Sequence, residues 1–277
     1  MPPRIWRAAA AGAAALLSGL VIARVLTERR VAAEWSSLER DPGEIRFHPA
    51  MIEHLPPAAR RYLARAIHSG TSLATSVRLT MTGSIRLAPD AEALAMSSEE
   101  MLAPPFGYVW RARVRKGPLR ISGFDLYVDG RAQMRWWAAG VIPIVRADGP
   151  ELARSAVGRL LGEVILLPSL LVTGESVVWE HVDDERVRVR LRAGAEDVTL
   201  TLDVDPEGRL RRATFSRWNG DARNGPLGYL DFVSDSLEDE RTFGGYTIPT
   251  RFRAGWRLGE PEEFPFFFAT IEHAEYR

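Results

Sequence analysis

The sequence contains no cysteine. This absence excludes disulfide bonds, catalysis by a cysteine thiolate and metal sites with cysteine ligands. It also excludes the lipid-modified cysteine that anchors a lipoprotein. Any chemistry must therefore rest on other side chains.

Lysine is almost absent too, because Lys116 is the only lysine among 36 basic residues. The acidic residues also number 36, so the formal net charge is zero. A neutral chain has no overall field to gather nucleic acid. Many arginines alternate with apolar residues, which is typical of a solvated sheet face. We therefore expect no nucleic-acid partner.

Catalytic and cofactor motifs are missing as well. The five histidines are scattered, and the chain has no H-E-x-x-H pair, G-x-S-x-G elbow, Walker loop or dinucleotide fingerprint. We predict no metal and no cofactor. An enzymatic activity stays open, and the sequence leans against one.

The N-terminal residues predict a membrane anchor at 1–30, followed by a tether or helical stalk at 31–48. Sixteen uncharged residues, Ala8 to Ala23, lie between Arg7 and Arg24. A cleaved signal peptide is the alternative, because small residues precede a possible cut. The basic residues on the two sides nearly balance, so orientation is weakly set. We expect a single-pass membrane protein whose domain, 49–277, lies outside the cytoplasm.

The rest of the chain predicts a mainly β (α+β) protein. About ten strands alternate apolar with polar residues, and one long helix is predicted at 149–167 with Asp148 as its cap. Asp129-Gly130 predicts a two-residue hairpin with both residues at positive φ. At Gly123 the apolar residues of the strand change from odd-numbered to even-numbered positions, which predicts a β-bulge. We expect a curved antiparallel sheet, or half-barrel, packed on the long helix.

The candidate ligand-binding residues lie in these strands and in the helix: Trp110, Arg113, Asp125, Tyr127, Trp136, Arg159, Glu163, Trp179 and Trp256. The tryptophans could line an apolar pocket or pack a solid core. Asp125 is expected beside Tyr127, near Arg113 or Arg135. It could serve a site or form a structural Arg–Asp pair across strands.

The helix offers a second pair, because Arg159 and Glu163 are four residues apart. They could belong to a site or form an ordinary pair on one helix face. Two alanines, Ala112 and Ala254, alternate with inward tryptophans and could leave a gap in the core.

A set of motifs resembles an uncharacterised bacterial family whose members are commonly membrane-anchored. The residues that carry the resemblance include Gly107-Tyr-Val-Trp-Arg-Ala-Arg113, Asp125, Asp129-Gly130, Arg159 and Glu163. The family implies no activity. More loosely, Asp205-x-x-Gly208 and Gly245-x-x-Ile-Pro249 are similar to turns of the half-barrel lipoprotein carriers of bacterial envelopes. That similarity implies a curved sheet over a helix that binds acyl chains.

Three functions are therefore open. The first is binding of an apolar or lipid-like ligand in the concavity of the sheet. The second is a structural or interaction module of the cell envelope with a filled core. The third is a hydrolase that uses Asp125 or Glu163. An open or a packed space among Trp110, Trp136, Trp256 and the helix separates the first two.

Overall fold

Alternating apolar and polar residues produce one antiparallel sheet of thirteen strands. The computed structural model describes residues 3–41, 43–174, 176–194 and 196–277. The strands are β1 Val77–Ile85, β2 Leu94–Ala103, β3 Gly107–Lys116, β4 Leu119–Val128, β5 Arg131–Ala138, β6 Ile142–Asp148, β7 Val178–His181, β8 Arg186–Ala193, β9 Glu196–Val204, β10 Leu210–Asn219, β11 Gly228–Phe243, β12 Tyr246–Trp256 and β13 Phe264–Tyr276.

Helices are few and mostly short. They are α1 Pro3–Leu38, α2 Pro57–Ala66, α3 Pro150–Gly162 and α4 Leu170–Thr173, with 3-10 turns at Pro49–Ile52, Glu163–Leu166 and Ala222–Asn224. The predicted helix at 149–167 thus divides into α3 and the 3-10 turn that follows it.

The strand order is β6-β5-β4-β3-β2-β1-β13-β12-β11-β10-β9-β8-β7. Helix α3 contacts β3 to β6 near one edge of the sheet and β8 to β10 near the other. One helix can touch both groups only if the sheet curves around it. We call the side that faces α3 the inner face and the opposite side the outer face. The predicted mainly β fold with a curved antiparallel sheet is confirmed.

The predicted hairpin at Asp129-Gly130 is confirmed. Val128 pairs with Arg131, which leaves a two-residue loop between β4 and β5. Both loop residues have positive φ, 47° for Asp129 and 82° for Gly130. A primed turn requires this geometry, and its twist matches that of the flanking strands.

The predicted bulge at Gly123 is wrong. The β3–β4 pairing runs without a shift from Ala112–Gly123 to Arg111–Phe124. Apolar residues occupy both odd-numbered and even-numbered positions of β4 because the strand is covered on both faces. Its inner face points toward α3, and on its outer face Phe124 is buried in a cluster with residues of α1.

Helix α1 supplies that outer cover. Val31 and Leu38 are each 2% exposed and pack with Val109, Phe124 and Leu126 of the sheet. The apolar side chains of α1 in this cluster thus lie within residues predicted as a tether, whereas Arg24 and Glu28 of the predicted anchor contact Trp137 and Arg111. Where the folded domain begins stays a prediction.

The predicted transmembrane helix is not supported. No helix in the described part of the chain is long and apolar enough to cross a membrane. The uncharged run Ala8–Ala23 covers about 24 Å at 1.5 Å per residue, short of the roughly 30 Å hydrocarbon core. Arg24, at the end of this run, bonds to Glu28 at 2.6 Å and stacks on Trp137. The first two residues of the predicted anchor lie outside the described part.

The predicted cap of the long helix is also wrong. Gly149 occupies the N-cap position of α3, and it has no side chain with which to cap. Asp148 instead ends β6, where its carboxylate accepts a hydrogen bond from Arg135 at 2.6 Å.

Candidate functional site

Three side chains form a row across the inner face. Glu100 on β2 pairs with Trp110 on β3, which pairs with Asp125 on β4. Paired residues on neighbouring strands point to the same side of a sheet. Register alone therefore brings two carboxyl groups to the two sides of one indole ring.

Arg159 of α3 lies over this row. Its guanidinium donates to Glu100 at 2.7 Å and to Glu163, one turn later on the helix, at 2.8 Å. The nearest oxygen of Asp125 is 3.9 Å away. The Tyr108 ring lies 4.4 Å from the guanidinium carbon, so the cation also rests on an aromatic face. We call Glu100, Asp125, Arg159 and Glu163 the acid–arginine cluster.

Trp136 completes the environment of Asp125. Its indole Nε1 donates to Asp125 Oδ1 at 3.0 Å. The ring fits because Gly123 pairs with Trp136 and has no side chain. A Cβ at residue 123 would lie 2.4 Å from Trp136 Cδ2, closer than two carbon atoms can approach.

Between the inner face and α3 lies a cavity of about 790 Å³, which we call the inner cavity. Most of its walls are apolar, and they include Trp110, Trp136, Phe252, Trp256, Phe264 and Phe267. Leu87, Ile144 and Val145 border the cavity and are exposed, so it opens to solvent where β1 ends and β6 begins.

The acid–arginine cluster borders the same cavity at its inner end. Glu100 pairs with Leu79, which is six residues before Ile85 at the end of β1. Six strand residues span roughly 20 Å. The inner cavity is thus a mainly apolar space with a charged cluster in its wall, away from the opening at the end of β1.

A second arginine enters the cavity from β10. Arg217 donates from Nε to the Ser155 carbonyl at 3.1 Å, and its guanidinium carbon lies 4.8 Å from the Phe232 ring and 5.5 Å from the Trp256 ring. Among the described residues, no carboxylate oxygen lies within 4.0 Å of its guanidinium nitrogens.

Burial changes the acid–base behaviour of these groups. Burial first, and then the neighbouring Glu163, raise the pKa of Glu100 well above its ordinary value. Burial also raises the pKa of Asp125, although Arg159 and the Trp136 hydrogen bond oppose it. Burial lowers the pKa of Arg217 to about 10, so Arg217 is still a cation at neutral pH.

Comparison with known proteins gives the chain its family. The family model of DUF6544, a family of unknown function, matches residues 46–269. The chain belongs to this family. No protein with a curated description matches the DUF6544 chain.

Two solved structures resemble the DUF6544 chain. One is a LolA superfamily protein from Nitrosomonas europaea, 14% identical, with a TM-score of 0.41 over 79% of this chain and 92% of that chain. The other is an outer membrane lipoprotein-sorting protein domain from Vibrio parahaemolyticus, 8% identical, with a TM-score of 0.40 over 73% and 85%. The two expected resemblances, to an uncharacterised family and more loosely to half-barrel carriers, are confirmed. With such TM-scores, neither structure carries a functional conclusion for the DUF6544 protein.

The structure brings six of the nine candidate residues to the inner cavity of the DUF6544 protein. They are Trp110, Asp125, Trp136, Arg159, Glu163 and Trp256. Arg159 and Glu163 form the expected helix pair and border the cavity as well. Of the two alanines expected beside a gap, Ala254 borders the cavity and Ala112 does not.

The other three candidate residues lie elsewhere. Arg113 is exposed on the outer face, because it alternates with Ala112 and Val114. Tyr127 is buried in the core without bordering the cavity, and Trp179 donates to the Leu171 carbonyl at 3.3 Å. The expected pairing of Asp125 with Arg113 or Arg135 is wrong, because register places both arginines on the outer face.

Two residues of the cavity were not anticipated from the sequence. Glu100 lies on β2, a strand that the sequence analysis did not predict. Leu94, Met96 and Ser98 alternate with exposed residues there, and this period could have placed Glu100 inward. Arg217 was not among the candidate residues.

The described residues offer no evident place for a metal. They contain no group of three or more histidine, aspartate or glutamate side chains arranged to hold an ion. The carboxyl groups of the acid–arginine cluster are directed at Arg159 instead. The arrangement is therefore suited to binding a molecule with a long apolar part and a polar end.

Proposed function

We propose that this protein binds an apolar or lipid-like ligand in the inner cavity. The observation that supports the proposal is the cavity itself, about 790 Å³ with walls that include Trp110, Trp136 and Trp256. Ligand pockets typically have volumes of about 300–1,000 Å³ and mainly apolar walls. A solid core among these tryptophans would have favoured a structural module instead.

The hydrolase hypothesis is weaker. Asp125 Oδ1 accepts a hydrogen bond from Trp136, and its other oxygen faces Arg159. Glu163 bonds to the same arginine. No observation favours hydrolysis over binding. Location of the domain outside the cytoplasm also stays a prediction.

Two measurements test the proposal. Native mass spectrometry of the purified chain should show a bound apolar molecule, which is released on denaturation. In parallel, the uncharged dye N-phenyl-1-naphthylamine should bind saturably, with a rise in fluorescence as it leaves water. Dye binding that does not saturate, with no ligand on the purified protein, would contradict the proposal.

A cavity-filling variant makes the test specific to the site. Ala254 borders the inner cavity, so Ala254→Phe should weaken dye binding while unfolding free energy changes by less than about 1 kcal/mol. The matched control is Ala213→Phe, because Ala213 is fully buried away from the cavity. It should overpack the core and cost about 1–3 kcal/mol. If Ala254→Phe lost as much stability as Ala213→Phe, the inner cavity would have no space for a ligand beside residue 254.

A further inference from the structure

Arg217 differs from the other arginine of the inner cavity. Arg159 is held by Glu100 and Glu163 at 2.7 and 2.8 Å, whereas Arg217 has no carboxylate within 4.0 Å among the described residues. Its one protein hydrogen bond uses Nε, so the terminal nitrogens carry donors that no described group accepts. A guanidinium has five N–H donors and no acceptor.

A partly enclosed cation without a counter-charge is costly. Taking a charge from water into a protein interior is unfavourable unless an opposite charge compensates for it. Aromatic faces on Phe232 and Trp256 offset part of this cost, but they accept no strong hydrogen bond. Burial also depresses the pKa of Arg217, although Tyr108, Glu163 and Asp125 partly oppose it.

A second unused donor borders the same space. Trp110 is 3% exposed, and its indole Nε1 is buried without a hydrogen-bond partner in the protein. Buried polar groups are nearly always satisfied, so an exception requires an explanation. Arg217 and Trp110 are both donors, and both border the inner cavity.

The carboxyl groups nearby cannot serve as the missing acceptor. Those of Glu100, Asp125 and Glu163 all lie toward Arg159, at 2.7, 3.9 and 2.8 Å. Glu163 Oε2 has no partner in the protein, but the other oxygen of the same carboxylate already accepts from Arg159. Among the described residues, none therefore supplies an acceptor to the terminal nitrogens of Arg217.

We propose that the ligand of the inner cavity carries an acidic head group, a carboxylate or a phosphate, that Arg217 binds while the apolar chain lies along the aromatic walls. This inference rests on the proposed function and specifies its ligand. A planar guanidinium matches both kinds of anion through paired hydrogen bonds.

The test compares three probes with the same chain: dodecanoate, dodecyl phosphate and dodecanol. Isothermal titration calorimetry at neutral pH should show that the wild-type protein binds at least one acid on the order of tenfold or more tightly than the alcohol. Comparing the two acids distinguishes a fatty-acid ligand from a phosphate-bearing lipid.

The variant Arg217→Met removes the charge and keeps much of the side-chain volume. It should bind the acids no more tightly than dodecanol, while its affinity for dodecanol stays unchanged. Arg113→Met, on the outer face, is the control and should keep the preference for acids. Circular dichroism would verify that both variants are folded.

The outcomes separate the two proposals. Equal binding of alcohol and acids by the wild-type protein would overturn the acidic head group and leave the apolar site standing. A preference for acids that persists in Arg217→Met would also overturn the proposal that Arg217 binds an acidic head group. If none of the three probes binds, both proposals fail.

Discussion

Arg159 on α3 donates to the carboxylate of Glu100 on β2 across 2.7 Å in the protein interior. The Glu100 side chain is 2% exposed and that of Arg159 is 15% exposed. A charge-assisted bond therefore joins the helix to the sheet where water has little access. The same guanidinium also donates to Glu163, so this one side chain joins a carboxylate of the sheet to one of the following helical turn.

Removing that side chain should be costly. We expect Arg159→Met to lower the unfolding free energy by about 3 kcal/mol or more, because it leaves buried carboxyl groups without their cation. Urea denaturation would measure the change. Arg113→Met should change stability by less than about 0.5 kcal/mol, since Arg113 is exposed. Similar losses for the two variants would contradict the importance of the cluster.

The same substitution at the other cavity arginine should have the opposite effect. Without ligand, Arg217→Met should leave stability unchanged or increase it, because it removes a cation that has no carboxylate partner. Thermal unfolding of the ligand-free protein would show this as an equal or higher Tm. A large loss of stability would mean that the single bond to Ser155 matters more than the uncompensated charge.

Stability should also depend on pH through Glu100. Its pKa is raised in the folded state, so the folded protein binds more protons than the unfolded chain between the unfolded and folded pKa values. The favourable contribution of Glu100 is therefore complete below about pH 4.3, the ordinary glutamate value, and is lost as pH rises through the folded pKa.

A neutral variant isolates this contribution. Residue 100 cannot ionise in Glu100→Gln. The unfolding free energy of the wild-type protein should therefore fall relative to that of the variant as pH rises from about 5 to about 8, measured at intervals of about one pH unit. Urea denaturation of both proteins at each pH would measure the difference. A constant or growing advantage of the wild-type protein would show that Glu100 folds as an ionised partner of Arg159.

The close approach of Trp136 to Gly123 gives a further prediction. In Gly123→Ala the new Cβ would meet Trp136 Cδ2 at 2.4 Å and the Arg135 carbonyl at 2.5 Å. The ring must then move away from Asp125, at a cost of about 1–3 kcal/mol, and tryptophan fluorescence should change. The control is Gly43→Ala, whose Cβ would find its nearest atom at 3.9 Å. Equal effects of the two variants would contradict the packing of this ring.

The tight turn between β4 and β5 can be tested through backbone geometry alone. Gly130 has φ of 82°, and a Cβ there would meet nothing within 4 Å. Gly130→Val should therefore cost on the order of 1 kcal/mol or more from strain. Gly130→Asn should cost less, because asparagine tolerates positive φ. The comparison of melting temperatures would check the order.

Sequence period and turn chemistry were enough to predict the curved sheet, its hairpin and the inward tryptophans. Trp110 and Trp256 follow the alternation of their strands, and both reach the cavity. The charges of the site were harder to predict. Asp125 and Arg159 are 34 positions apart in sequence, and only the register of three strands with the packing of α3 brings them together.

The wrong prediction at Gly123 has a physical cause, which is cover on the second face of a strand. Phe124 and Leu126 indicated a bulge because a strand that is buried on one face has apolar residues only at every second position. In the structure α1 buries the residues on the other face of β4 as well. A pattern within one strand cannot show which distant segment covers it, so neither the outer cluster nor the packing of α1 was predictable.

The cover provided by α1 has a practical consequence for the design of shortened proteins. A chain that started at residue 46, where the family match begins, would lose Val31, Trp35 and Leu38. Met101, Val109 and Phe124 would then face water as a contiguous apolar patch, of the kind that promotes self-association. We expect such a truncated protein to precipitate or to need detergent, although the inner cavity is untouched. If that fragment needed detergent, the cause would be the uncovered outer face of the sheet and not insertion of the sheet into a membrane.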